Sequence, residues 1–147
     1  MYSDFTVNPI GIIRSPFKKP GQAPRQGREQ GAPGEIEVFE GFEDGLQNIE
    51  GCAHPVVFLW MIEVNRNRLA ATPPHTGKTH SVFGSRSPHR PRPIGMTVVE
   101  LLGLQGRRPR IKRIDATDGA PAIDIKPYVP ALYSVPHARV KHSRGDS

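Results

Sequence analysis

The apolar residues fall into short runs separated by glycines, prolines and polar stretches, and each run predicts an element. Val7 to Arg14 reads as a first strand, with Ile10, Ile12 and Ile13 apolar and Ser15-Pro16 ending it. Glu35-Ile36-Glu37-Val38-Phe39 alternates polar and apolar, which predicts a strand with one wet face. His54 to Ile62 is the most apolar run and carries Val56, Val57, Phe58, Leu59, Trp60 and Met61. It is too short and too rich in β-formers for a helix, so it reads as a central strand buried on both faces. Ile94 to Leu104 reads as one strand, Gln105-Gly106 as a tight turn, and Arg110 to Ile114 as the returning arm of a hairpin. Ile123 to Ile125 is a further short strand.

Only one segment has helical spacing. Phe42, Leu46 and Ile49 predict a short helix over Glu43 to Asn48, stopped by Gly51. Phe17 to Pro33 and Asn65 to Thr79 are broken by glycines and prolines and must be long loops. Pro127-Tyr128-Val129-Pro130 is expected to have no regular structure, and no internal repeat is present. The expected fold is therefore mainly β, with one short helix and long loops. A closed or nearly closed antiparallel barrel is the economical way to bury such strands without open edges. Residues 1–136 make one expected domain, and 137–147 a basic, flexible tail.

Composition sharpens this picture in two places. The 147 residues include 15 Gly and 16 Pro, which argues against long helices. The net charge of +6 is unevenly placed. Between Thr76 and Arg113 lie nine Lys or Arg and a single acid, Glu100, whereas Glu29 to Glu63 holds eight acids and no Lys or Arg. Two opposite fields on a small domain suit steering of a polyanion, and nucleic acid is the obvious one. No run of about 18 apolar residues predicts a membrane span, and no signal pattern predicts export. The single cysteine, Cys52, cannot form an internal disulfide, which fits a reducing cytoplasm. Cys52 reads as a small buried apolar residue and His54 as a core or edge histidine, not as catalytic groups.

The candidate chemistry centres on Ser85-Arg86-Ser87-Pro88-His89-Arg90-Pro91-Arg92-Pro93-Ile94-Gly95. Three prolines stiffen the segment, so its arginines are held in fixed directions and lose little entropy on binding an anion. Several other chemistries lack their signatures. No two glycines are separated by a single residue, so the glycine turn of the doubly wound dinucleotide fold does not occur, and no phosphate-loop motif is present. His75, His80 and His89 have no metal-site spacing, so no metal is expected. The zinc deaminase signature is missing as well.

Four ordered blocks carry a resemblance. They are Ile10-Gly11-Ile12-Ile13-Arg14-Ser15-Pro16-Phe17 with Pro24-Arg25-Gln26, then Ser85 to Gly95, Asp115-Ala116-Thr117-Asp118-Gly119, and Asp124-Ile125-Lys126-Pro127-Tyr128. Together they resemble the TsaA/TrmO family of S-adenosylmethionine-dependent tRNA methyltransferases built on a β-barrel. The resemblance implies a cytoplasmic homodimer in which a second subunit completes the cofactor cleft. It implies cofactor contacts at Pro24, Arg25, Gln26, Ile62, Glu63, Arg86, Ile114, Asp115 and Ala116. An arginine there holds the methionyl carboxylate. Glu63 or Asp115 holds the ribose hydroxyls or the amino group, and backbone near 114–116 reads the adenine edge. The implied reaction methylates N6 of a threonylcarbamoylated adenosine beside the tRNA anticodon, at position 37. Asp118 is the candidate proton acceptor. Arg90 or Arg92 would meet the threonylcarbamoyl carboxylate, although the family more often has asparagine at the place of Arg92. Arg108, Arg110 and Lys112, on one strand face by period-two spacing, complete the expected RNA-binding set. The C-terminal domain that many members carry is not expected here. Two other readings remain: a barrel that binds S-adenosylmethionine and RNA without turnover, and a plain basic RNA-binding module.

Overall fold

Alternation along Arg108–Lys112 shows how these strands sort themselves: Arg108, Arg110 and Lys112 are exposed, while Pro109 and Ile111 are buried. Successive strand side chains point to opposite faces, so one face joins the core and the other carries charge. The computed structural model describes residues 4–19, 22–23, 31–72 and 77–139. The chain forms two units, Met1–Ile62 with Ile94–Tyr128, and Glu63–Pro93 with Val129–Ser147.

The first unit contains β1 (Gly11–Arg14), β2 (Pro33–Val38), β3 (Pro55–Trp60), β6 (Ile94–Val98), β7 (Glu100–Gln105), β8 (Arg108–Lys112) and β9 (Pro121–Pro127). These seven strands form one antiparallel sheet in the order β6-β3-β9-β1-β2-β8-β7. Its core gathers Ile13, Ile36, Val57, Val99, Ile111 and Ile114, all at most 1% exposed. β1 and β2 approach closely at Gly11, where a Cβ would sit 2.5 Å from the Glu37 carbonyl oxygen. β7 and β8 form a hairpin as expected, but its second arm is Arg108–Lys112 and not Arg110–Ile114, and the turn is Gly106-Arg107 and not Gln105-Gly106, with Gln105 paired to Arg108. Gly106 takes φ +62° there, a conformation open to glycine without a Cβ clash.

Several expectations are corrected. Ile94 to Leu104 is not one strand: it divides at Val99 into β6 and β7, which lie on opposite edges of the sheet. Val99 is fully buried and donates its N–H to the Pro55 carbonyl, and Leu101 donates to Ala53. Those bonds turn the chain across the start of β3. Among the described residues no ladder joins β6 to β7, so the sheet is not closed into the expected barrel. β1 is shorter than predicted, and Val7 is exposed. β9 is longer than predicted and is an interior strand, with proline at each end where a ladder donor is not needed. The predicted helix is instead two 3-10 turns, Glu43–Leu46 and Ile49–Gly51, separated by Asn48 at φ +65°.

The second unit holds a two-stranded ladder of β4 (Ala70–Ala71) and β5 (His80–Ser81), followed by a 3-10 turn over Val82–Gly84 and the Arg/Pro loop. Its one α-helical turn among the described residues, α1 (Pro130–Tyr133), falls partly in a segment expected to be irregular. Pro130 tolerates the first turn because a proline N–H would have no helical partner there. Residues 137–139 of the expected tail are exposed, and 140–147 lie outside the described residues. Among the described residues no helix is long and apolar enough to cross a membrane.

Candidate functional site

The Arg/Pro loop is ordered by its own side chains. Ser87 donates its N–H to Ser85 Oγ at 3.2 Å, and His89 donates its N–H to Ser87 Oγ at 3.3 Å. The half-buried Arg90 guanidinium turns inward. Its Nη1 donates to the carbonyls of Ser85 at 3.0 Å and Ser87 at 3.2 Å, and its Nη2 donates to the Val82 carbonyl at 2.8 Å. The segment that enters this unit braces the same loop. Asn65 donates its N–H to His89 Nδ1 at 2.9 Å, and Arg66 Nε donates to the Pro91 carbonyl at 3.1 Å. Arg92 is exposed and shares that carbonyl through Nη1 at 3.0 Å. Arg86 is exposed, and among the described residues no hydrogen bond or ion pair occupies its guanidinium. The stiff loop expected from the prolines is therefore present. Arg90 ties the loop in addition to its prolines.

A second cluster lies where β1 ends. Ser15 donates its Oγ–H to the Ala116 carbonyl at 2.6 Å and its N–H to Asp118 Oδ1 at 3.0 Å. Asp118 Oδ2 faces Lys18 Nζ at 3.3 Å, and the Asp118 N–H returns to the Phe17 carbonyl. These bonds hold the 114–118 segment against the exit of β1, with Ile114 and Ala116 buried and Asp115 half-buried between them. Partial burial pushes the Asp118 carboxyl up. The Ser15 amide, the Lys18 ammonium and the Arg14 charge outweigh it and hold the carboxyl below its ordinary value. A lowered proton affinity weakens Asp118 as a proton acceptor and suits a clamp.

The outward face of β1, β2 and β8 carries an ion-pair network. Arg14 meets Glu37 at 2.9 Å, and Arg108 meets Glu35 at 3.2 Å and Glu37 at 3.4 Å. The hydrogen bond from the Arg14 guanidinium above all holds the Glu37 carboxyl down; burial opposes it, and the charges of Arg108, Arg14 and Arg107 keep the net effect downward. The acidic and basic blocks of the sequence are thus interleaved here by the pairing of β2 with β8 and are not set apart as two fields. Arg110 and Lys112 are exposed on this face and make no described ion pair.

Of the expected cofactor contacts, Ile114, Asp115 and Ala116 are brought together at the Ser15 clamp. Ile62 is half-buried at the end of the first unit. Glu63 is exposed and takes φ +57°, uncommon for a residue with a Cβ. Glu63 and Arg86 belong to the second unit. Pro24, Arg25, Gln26 and His75 lie outside the described residues. A recess of about 430 Å³ in the first unit is lined in part by Leu46, Ile49, Cys52 and Ile125 and contains none of the expected site residues. Sequence reasoning missed Ser15 and Lys18 as partners of Asp118, and Asn65 and Arg66 as braces of the loop. Ser15 stood out in the sequence as the residue before a strand-ending proline and as part of the Ile10–Phe17 block, not as a partner of Asp118.

Comparison with known proteins adds four findings. The family profile for the tRNA-methyltransferase O N-terminal domain matches residues 12–134. An Archaeoglobus fulgidus protein, named a probable S-adenosyl-L-methionine-binding protein, is 50% identical over 131 residues, covering 89% of this chain and 36% of that protein. The Escherichia coli tRNA (adenine(37)-N6)-methyltransferase is 33% identical over 157 residues, covering 97% of this chain and 65% of the enzyme. The crystal structure of TrmO from Pseudomonas aeruginosa superposes with a TM-score of 0.79 at 33% identity, covering 95% of this chain and 63% of that one. The chain thus spans about a third of the length of the archaeal relative and just under two thirds of the other two.

Proposed function

This chain belongs to the tRNA-methyltransferase O N-terminal-domain family, and on that premise we propose that it binds S-adenosylmethionine and methylates N6 of an adenosine in tRNA. The proposed substrate is the threonylcarbamoylated adenosine next to the anticodon, at the position named in the Escherichia coli relative. The observation that carries this reading is the match over residues 12–134, which takes in both the Arg86 loop and the clamped 114–118 segment.

Cofactor contacts are proposed in each of the two units. Arg86 offers an exposed guanidinium with no described partner, suited to bidentate contact with the methionyl carboxylate. Ile114 and Ala116 are buried, the Ala116 carbonyl is bonded by Ser15, and the backbone between them is proposed to read the adenine edge. Asp115 and Glu63 are the carboxylates available for ribose hydroxyls, and Pro24, Arg25 and Gln26 are proposed to complete the contact. The bound cofactor supplies an activated methyl group on a sulfonium. The protein supplies in-line placement of that group against N6, which accounts for much of the rate in a reaction of this kind. Arg92, Arg110 and Lys112 are exposed cations proposed to meet RNA, and Arg92 is proposed to meet the threonylcarbamoyl carboxylate. The protein is proposed to work as a cytoplasmic homodimer.

One observation favours a second reading, an S-adenosylmethionine- and RNA-binding protein without turnover. Asp118, the candidate proton acceptor, is engaged by Ser15 and Lys18 and has a lowered proton affinity. Two measurements separate the readings. Calorimetry with S-adenosylmethionine is expected to show binding under both. Transfer of a labelled methyl group to tRNA is expected only if the protein is an enzyme, and only to tRNA that carries the threonylcarbamoyl group. Equal labelling of modified and unmodified tRNA would remove the proposed substrate. Tight binding with no labelling would leave the non-catalytic reading.

A further inference from the structure

Arg90 reads from the sequence as a nucleic-acid contact, but its geometry serves another purpose. One nitrogen, Nη1, donates to the carbonyls of both Ser85 and Ser87, the residues on either side of Arg86. The other, Nη2, fixes Val82 in the turn that launches the loop. Ser85 donates its own N–H to that same Val82 carbonyl, and Ser87 donates its N–H to Ser85 Oγ, so the backbone around Arg86 is tied from two directions. Arg86 is the one residue in Ser85–Ser87 whose side chain takes no part in this lacing. We propose that Arg90 is a positioning residue: it brackets the backbone of Arg86 and aims that guanidinium at its anion. This inference rests on the reading of Arg86 as a cofactor contact.

The chemistry of arginine explains why this bracket needs it. Two NH2 groups held in one plane reach three carbonyls on different sides. A lysine keeps the positive charge but offers a single nitrogen, so it cannot span Val82 and the Ser85/Ser87 pair together. A charge-preserving substitution therefore separates positioning from a phosphate contact, for which charge is most of what matters.

The test measures S-adenosylmethionine Kd by calorimetry for the wild type, Arg86→Ala, Arg90→Ala, Arg90→Lys and Arg86→Ala/Arg90→Ala, with thermal melts to verify folding. Arg86→Ala is expected to weaken binding about tenfold or more, and both Arg90 variants to weaken it by a similar order although Arg90→Lys leaves the net charge unchanged. The double variant is expected to bind no more weakly than Arg86→Ala alone, because Arg90 acts through Arg86. Amide hydrogen exchange at Ser85 and Ser87 is expected to quicken in Arg90→Lys, in the absence of any ligand. Affinity for tRNA and its salt dependence are expected to stay at wild-type values in Arg90→Lys. Additive losses in the double variant, or an unchanged Kd in a folded Arg90→Lys, would overturn the inference while leaving the Arg86 reading intact. An unchanged Kd in Arg86→Ala would instead remove the cofactor reading of Arg86 and this inference with it.

Discussion

At the scale of single residues, the clearest reassignments concern Arg90 and Asp118. A Pro/Arg-rich stretch shows that several guanidiniums are close together, but not which one folds inward. That depends on where three carbonyls point after the turn at Val82–Gly84. Asp118 likewise sits in an Asp-Gly pair that reads as a turn or as an acid, and only the fold shows the Ser15 amide and the Lys18 ammonium converging on its two oxygens. The clamp makes a prediction about acid. Because the folded carboxyl ionises below its ordinary value of 3.8, its contribution is complete above that pH and fades as pH falls through the lowered folded value. Asp118→Asn keeps an oxygen for the Ser15 amide but loses the charge facing Lys18. It is expected to cost about 1 kcal/mol or less near neutrality, since Lys18 is largely exposed. Denaturant titrations of both proteins from pH 7 to pH 2.5 should show the gap between them shrinking below about pH 3.8. A gap that stays constant or widens in acid would mean that the carboxylate charge is not what the clamp uses.

At the scale of elements, strands with a strict period of two were legible and the rest were less so. Glu35–Val38 and Arg108–Lys112 each bury one face and wet the other, so their faces could be read from the alternation, although the second strand was expected two residues later. The bend at Val99 left no such mark. A β-branched apolar residue inside Thr97-Val98-Val99-Glu100-Leu101-Leu102 looks like mid-strand, and only its N–H to Pro55 reveals the corner. The charge blocks misled for a related reason, because linear segregation says nothing of register. Once β2 pairs with β8, Glu35 and Glu37 sit beside Arg108 and offset it. This predicts a graded contribution to RNA binding along β8. Arg110→Ala and Lys112→Ala are each expected to weaken tRNA binding and to reduce the slope of log K against log salt by about 1. Arg108→Ala is expected to change that slope less, because its charge is already shared between two carboxylates. Filter binding across a salt series checks the order. Equal slopes for all three variants would mean that the carboxylates release Arg108 to the phosphates.

At the scale of the whole molecule, the open sheet leaves two edges, and they differ in kind. The edge strand β7 carries Glu100, which faces Arg113 at 3.9 Å, whereas β6 has the sequence Ile94-Gly95-Met96-Thr97-Val98 with no charge at all. Ile94 is 53% exposed and Met96 48% exposed. Their partners across the ladder are Trp60 and Phe58, both only half-buried, so an apolar stripe two strands wide runs along this edge. Natural sheets usually guard such an edge with charge, proline or a bulge, because its free N–H and C=O groups accept another strand. An unguarded apolar edge is what the proposed homodimer would use, through strand pairing or through the stripe beside it. The protein is accordingly expected to sediment as a dimer at micromolar concentration. Ile94→Lys/Met96→Lys, which puts two like charges on each facing surface, is expected to yield a monomer with little change in thermal stability, as both side chains point to solvent. If the wild type already sediments as a monomer, the dimer proposal fails. If the double variant stays dimeric, the second copy docks elsewhere and β6 is a bare edge that the protein tolerates.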